Sequence, residues 1–135
     1  MSPDPDDARP ITLVLDRSAV LAYLAGSIHA VEPIGEVVQD RQRFGVTAIT
    51  VAESQELAAP KDRADLAVLL RMEACAVLPT WGESWQELSY WRGVTGRVDL
   101  ASTVMSALEH RASILTGEGG KYGPEGHLPV IYMPN

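Results

Sequence analysis

The chain has 135 residues, 46% of them apolar, a net charge of −7 and a pI of about 4.8. That length suits one domain able to bury a core, and the apolar fraction excludes disorder as the main state. The acidic balance argues against broad electrostatic capture of nucleic acid, which needs a basic surface, but it is compatible with a metal site built from carboxylates. No apolar run reaches the roughly 20 residues that cross a bilayer. Residues 1–10 are rich in Asp and Pro and lack the basic, then apolar, pattern of a signal peptide. They are expected to form a disordered, solvated tail before a single domain over 11–135, and the protein is expected to be cytoplasmic, with no membrane association.

The elements alternate in kind along the chain. Ile11 to Leu15 is a short apolar run suited to a strand buried on both faces. Asp16 and Ser18 follow as candidate helix caps, ahead of apolar Val20, Leu21, Tyr23 and Leu24, with Gly26 as a stop. A second helix is predicted over Ile28–Arg43, burying Val31, Ile34, Val37 and Val38, with Pro33 tolerated in its first turn. A second strand is predicted over Phe44–Ala48, followed by a helix through Glu53 and Leu57. Asp62–Glu73 reads as an amphipathic helix with Leu66, Leu69 and Leu70 on one face. Ala74–Leu78 is a third strand. Trp81–Trp91 is predicted helical, and a further helix from Arg97 or Val98 buries Leu100, Val104, Ala107 and Leu108. Ala112–Leu115 is a fourth strand, Thr116–His127 a Gly-rich loop, and Leu128–Met133 a last strand. Short strands separated by helices imply a three-layer α/β/α sandwich with a mostly parallel central sheet of about five strands. Sites in such sheets form beyond the carboxyl ends of the strands.

Three acids occupy suggestive places. Asp16 directly follows the first strand, Glu53 lies in the first turns after the second, and Asp99 opens the helix before the fourth. Magnesium or manganese takes oxygen ligands of this kind, and a bound ion activates a water toward phosphorus. Taken singly, Asp16 and Asp99 are equally helix caps and Glu53 a solvated helix residue. The metal reading requires the three carboxylates to converge; a structure in which they point to separate surfaces, or in which arginines neutralise the space between them, would end the nuclease reading.

The stretch Leu13-Val14-Leu15-Asp16-Arg17-Ser18 and the apolar helix after it resemble the opening of PIN domains. Val46 to Glu53 resembles their second segment, where a small-residue turn leads to a helical Glu. Val98-Asp99 through Leu115-Thr116 resembles their third, an Asp-initiated helix ending in a short strand and a Thr. The resemblance runs from Ile11 to Met133, and the chain is similar to the toxin ribonucleases of bacterial VapBC-type toxin–antitoxin pairs. It implies a metal-dependent endoribonuclease cleaving single-stranded RNA, with Mg2+ or Mn2+ as cofactor, an antitoxin protein as partner and a homodimer as assembly. Carried over by position, Asp16, Glu53 and Asp99 are the catalytic metal ligands, and Ser18 and Thr116 are supporting hydroxyls. Where the family has Thr, one residue, then Asp, this chain has Thr116-Gly117-Glu118, so Glu118 would join the metal set with one more methylene. Where some members carry another acid one turn after the Asp, this chain has Ser102 and Thr103, which would weaken a second metal.

Arg17, Arg97 and Lys121 lie near the acids in sequence and are weaker candidates for phosphate contact. His29, His110 and His127 show no ligand spacing, and Cys75 reads as a buried small hydrophobe. Trp81, Trp85, Tyr90 and Trp91 fall at helical spacing, which favours packing over base stacking. The Gly119-Gly120 loop lacks a nucleotide-binding pattern. The competing function is a PIN-like domain with little or no catalysis that acts as a protein-binding or regulatory module. A receiver-type domain is disfavoured, because the chain's paired acids precede the first strand instead of following it.

Overall fold

The computed structural model describes residues 8–134. Residues 1–7 of the expected tail, and Asn135, lie outside the described residues. Five strands form one sheet: β1 (Ile11–Leu15), β2 (Arg43–Thr47), β3 (Cys75–Leu78), β4 (Ser113–Thr116) and β5 (Val130–Tyr132). Their order is β3-β2-β1-β4-β5, and every neighbouring pair is parallel. Six helices connect them: α1 (Arg17–Leu24), α2 (Ile28–Gln39), α3 (Ala48–Leu57), α4 (Arg63–Leu70), α5 (Trp85–Thr95) and α6 (Val98–His110). The α/β architecture, the parallel sheet and the number of strands are those expected.

The strands carry the core on both faces. Leu13, Leu15, Phe44, Val46, Cys75 and Leu115 meet Ala19 and Val20 of α1, Ile34 and Val37 of α2, and Leu66 and Leu69 of α4. Val14, Ala76, Leu78 and Ile114 face the other way, onto Leu100, Val104 and Ala107 of α6. This double burial explains why the strands read as continuous apolar runs and not as alternating ones. Ile11 joins the second face although Leu13 joins the first, because the β1–β2 register slips between them.

Several local expectations shift. The second helix stops at Gln39, and Arg41 then adopts a left-handed φ of 57° before β2. Its buried residues are Ala30, Ile34 and Val37, while Val31 and Val38 face outward. Pro33 lies in the second turn, and the helix continues through it. Leu108 is exposed on α6, although Val104 and Ala107 are buried. Short 3-10 turns at Pro60–Asp62, Gly82–Ser84 and Gly119–Tyr122 occupy stretches predicted as helix or loop. Trp81, Trp85 and Tyr90 are all more than half exposed in the single chain, so core packing at that cluster is confined to Trp91. Trp91 meets the Tyr90 ring edge-on at 5.0 Å. Cys75 is buried, and burial pushes its thiol up to about 12.

Successive strands add to one side of β1 up to β3, and the chain then returns to place β4 on the other side. The carboxyl ends of β1 and β4 therefore flank the point where the winding reverses, the usual location of a crevice in open α/β sheets. Asp16 directly follows β1, and Thr116 ends β4.

Candidate functional site

Asp16 is fully buried and caps α1: one carboxylate oxygen, Oδ1, accepts the Ala19 amide at 3.0 Å and the Ser18 hydroxyl at 2.5 Å. Its other oxygen, Oδ2, accepts the Tyr122 hydroxyl at 2.7 Å. The cap reading and the site reading of Asp16 are thus compatible, since the cap uses one oxygen and leaves the other to face the loop after β4. Ser18 ties the two sheet ends together, because its Oγ also accepts the Gly117 amide at 2.8 Å and lies 3.4 Å from the Thr116 hydroxyl. Thr116 Oγ1 in turn accepts the Glu118 amide at 2.8 Å. Both hydroxyls singled out in the sequence therefore support the backbone around an acid.

Asp99 sits in the first turn of α6 and is 2% exposed. The helix behind it is fastened by a run of buried hydroxyls. Ser102 and Thr103 donate to the Asp99 carbonyl at 2.7 and 3.1 Å. Ser102 Oγ lies 2.7 Å from Thr47 Oγ1, and Thr103 Oγ1 lies 3.3 Å from Thr50 Oγ1. Thr47 also caps α3, the helix that carries Glu53. Ser102 and Thr103, noted in the sequence for lacking a carboxylate, thus lock the Asp99 helix to the Glu53 helix. A satisfied hydroxyl network of this kind fixes one arrangement of the elements it joins.

Two arginines stand among the acids. Arg97 immediately precedes α6 on extended backbone. Its Nε and Nη2 donate to the two oxygens of Asp99 at 3.0 Å each, and its Nη1 and Nη2 donate to the two oxygens of Glu118 at 2.9 Å each. Arg17 Nη1 lies 3.8 Å from Glu53. The Arg17 charge also lowers the pKa of both Asp99 and Glu118, so Glu53, Asp99 and Glu118 share one electrostatic neighbourhood.

The titration directions follow from this layout. Burial opposes ionisation of Asp99 most strongly, yet the Arg97 hydrogen bonds and charges together outweigh it and hold the carboxyl below its ordinary value. Glu118 is held low chiefly by its Arg97 hydrogen bonds, against a desolvation penalty. The Arg97 guanidinium is pushed up by its hydrogen bonds to Asp99 and then Glu118. Burial first, and then the Asp16 charge, push the Tyr122 phenol far up, so it stays a neutral donor.

The donor chemistry suits a hard divalent ion, but this arrangement does not present it. Magnesium needs oxygens at about 2.0–2.1 Å, and a planar guanidinium lies against every oxygen of Asp99 and Glu118. Among the described residues no three His, Cys, Asp or Glu side chains converge closely enough to hold a metal ion. As arranged, the residues do not fit a metal.

The remaining phosphate-contact candidate, Lys121, borders the cluster at Glu118, whose carbonyl accepts the Lys121 amide at 2.9 Å. Lys121 is exposed on the turn after Glu118, beside an open pocket of about 520 Å³ that Tyr132 and Met133 also line. A Cβ at Gly119 would fall 1.9 Å from the Tyr132 ring, so any larger residue there would have to displace that half-exposed ring. His110 lies 3.2 Å from Glu109, far along α6 from Asp99. Sequence reading missed Tyr122 as a partner of Asp16. The signal was a lone aromatic within an otherwise small and polar loop, Gly119-Gly120-Lys121-Tyr122-Gly123, where a buried side chain needs a specific contact.

No protein-family model and no curated protein sequence matches the chain. In structure the chain is similar to FitAB bound to an IR36 DNA fragment, with a TM-score of 0.61 at 15% identity, covering 90% of this chain and 94% of that one. At that identity the likeness is one of fold, and the fold is a PIN-like three-layer α/β sandwich with an all-parallel five-stranded sheet.

Proposed function

We infer that the chain is an endoribonuclease of the PIN type that acts on single-stranded RNA as the toxin of a toxin–antitoxin pair. The observation that carries this reading is that Asp16, Glu53, Asp99 and Glu118 all fall on elements at the carboxyl side of a parallel sheet, near the crevice between β1 and β4, although no three of them converge. The likeness of fold to FitAB, solved bound to a DNA fragment, is compatible with this reading. In this reading Asp16, Glu53, Asp99 and Glu118 would be the residues to hold Mg2+ or Mn2+, which they do not fit as arranged around Arg97; Ser18 and Thr116 hold the edge in shape, and Lys121 meets phosphate beside the open pocket. A small antitoxin is the partner, the assembly is a homodimer, and the setting is the cytoplasm. Among the described residues no helix is long and apolar enough to cross a membrane.

The second reading is a protein-binding or regulatory module with little catalysis. It is favoured by one observation, the bidentate closure of Asp99 and Glu118 on Arg97. Cleavage of a labelled single-stranded RNA in manganese, with the wild type and Asp16→Asn compared, separates the two. Cleavage that disappears in Asp16→Asn supports the nuclease. A folded wild type that leaves the RNA intact across a manganese titration favours the module.

A further inference from the structure

We propose that the cleft between α6 and the connection from β3 to α5 is a binding site for a guanidinium group. The cleft has a volume of about 370 Å³, within the range of small-ligand pockets. One wall is a stripe of α6, with Ser102, Met105, Ser106 and Glu109 at helical spacing. The other wall is the connection over residues 79–84, with Trp81, and then Glu87 in the first turn of α5. Ser106 is 6% exposed, yet its hydroxyl has no hydrogen-bond partner among the described residues. Its helix neighbours differ, since Ser102 and Thr103 donate to the Asp99 carbonyl. Nor is the Ser106 oxygen sealed inside the protein: among the described residues, the enclosed side-chain oxygen without a partner is that of Ser54. The Ser106 hydroxyl therefore opens on the cleft it lines, and a group bound there would complete its hydrogen bonding.

The chemistry of the walls selects the ligand. Glu87 and Glu109 bring two carboxylates to the cleft, and no lysine or arginine lines it. Glu109 lies 3.2 Å from His110 Nε2, which neutralises it only when protonated. Trp81 is 53% exposed and gives the same cleft an aromatic surface, while Met105 and Leu108 add apolar surface. Carboxylates and a tryptophan ring both attract a cation. A guanidinium suits the combination better than an ammonium, because it is planar, stacks on an aromatic ring and donates to a carboxylate in a fork. Its further N–H groups leave a donor for the Ser106 oxygen. The alkyl stem of such a ligand packs on Met105 and Leu108. The same two carboxylates repel anions, so a phosphate chain is not the occupant. The site does not rest on the nuclease reading: Ser102 borders both places, but its hydroxyl is engaged by the Asp99 carbonyl and by Thr47.

The test uses agmatine, a capped glycine peptide with one central arginine, and the same peptide with citrulline, which keeps the shape and lacks the charge. Each is titrated into the full chain by calorimetry and by tryptophan emission. The proteins are the wild type, Glu109→Gln, Trp81→Leu and Ser106→Ala. The expected result is saturable binding of both cations with a change in emission, and citrulline binding weaker by about tenfold or more. Glu109→Gln and Trp81→Leu each weaken the cations by about tenfold, and Ser106→Ala by less. Glu32→Gln on α2 removes an equal charge elsewhere and should bind as the wild type does. The tighter of the two cations names the source, a free guanidine or a protein side chain. Absence of saturable binding of either cation up to roughly 10 mM overturns the proposal, including when a second copy of the chain covers the cleft. Citrulline that binds as well as arginine overturns it too, as does an affinity unchanged in both Glu109→Gln and Trp81→Leu. If Trp81→Leu does not fold, Glu109→Gln decides alone, since that side chain is 56% exposed and the change is isosteric.

Discussion

At the scale of single residues, the site is governed by who neutralises whom. Asp16 is satisfied by hydrogen-bond donors without a formal charge, and Tyr122 is the one that arrives from a distant part of the chain. Tyr122→Phe removes that donor from a buried carboxylate and should cost about 1–3 kcal/mol, read from urea unfolding midpoints. An unchanged midpoint would mean that the bond contributes nothing. Asp99 and Glu118 are instead neutralised by Arg97, and both are held below their ordinary values of 3.8 and 4.5. Groups depressed in the folded state bind more protons when unfolded, so they contribute stability above those values and lose it as pH falls through the folded ones. The wild type should therefore lose stability steeply on acidification from about pH 5 to about pH 3, and Arg97→Gln less so over the same range. Parallel pH profiles for the two proteins would show that the pairing does not contribute to acid sensitivity.

At the scale of elements, hydroxyl contacts and small residues set the relative positions of helices and strands. The Thr47, Thr50, Ser102 and Thr103 cluster joins the start of α3 to the start of α6, and so fixes Glu53 and Asp99 on one edge. Nothing in the spacing of these residues announces that role, because each is an ordinary helix-end hydroxyl until the helices are packed. Gly45 shows the same dependence on packing within the sheet. A Cβ there would fall 2.5 Å from Leu78 Cδ1 and 3.1 Å from its Cγ, on the neighbouring strand. Leu78 is nearly buried and has little room to give way. Gly45→Ala should destabilise by about 1–3 kcal/mol through overpacking, measured by thermal or denaturant unfolding. A stabilised Gly45→Ala would mean that Leu78 repacks freely and that the contact is not limiting.

For the whole molecule, charge sets how it can meet a nucleic acid. A net charge of −7, with Arg17 and Arg97 both engaged by carboxylates, leaves little basic surface at the acidic edge. Lys121 stands outside that network. Binding of single-stranded RNA should accordingly be weak and only shallowly salt-dependent. One or two phosphate contacts correspond to a slope of about −0.7 to −1.4 in log K against log salt, measurable by fluorescence anisotropy. A slope several times steeper would reveal a basic surface that this arrangement does not provide.

The sequence by itself determined the layers. Continuous apolar strands such as Leu13-Val14-Leu15 have no polar face, so they specify a sheet covered on both sides, and the alternation with helices specifies parallel pairing. It also put Asp16 at a helix start as a cap directly after a strand, and Asp99 in the first turn of α6, although the residue at that helix's N-cap position is Arg97 and not Asp99. Outward-facing Val31, Val38 and Trp85 were not legible, since periodicity gives a stripe's spacing but not which neighbour covers it. Tertiary structure alone decided what surrounds the carboxylates: Tyr122 reaches Asp16 from more than a hundred residues away, and Arg97 reaches Glu118 across the gap between α6 and the loop after β4. The reason is the range of the forces involved. Helix and strand choice is settled by neighbours along the chain, whereas the partner of a buried charge is whichever opposite charge the fold brings within hydrogen-bond reach.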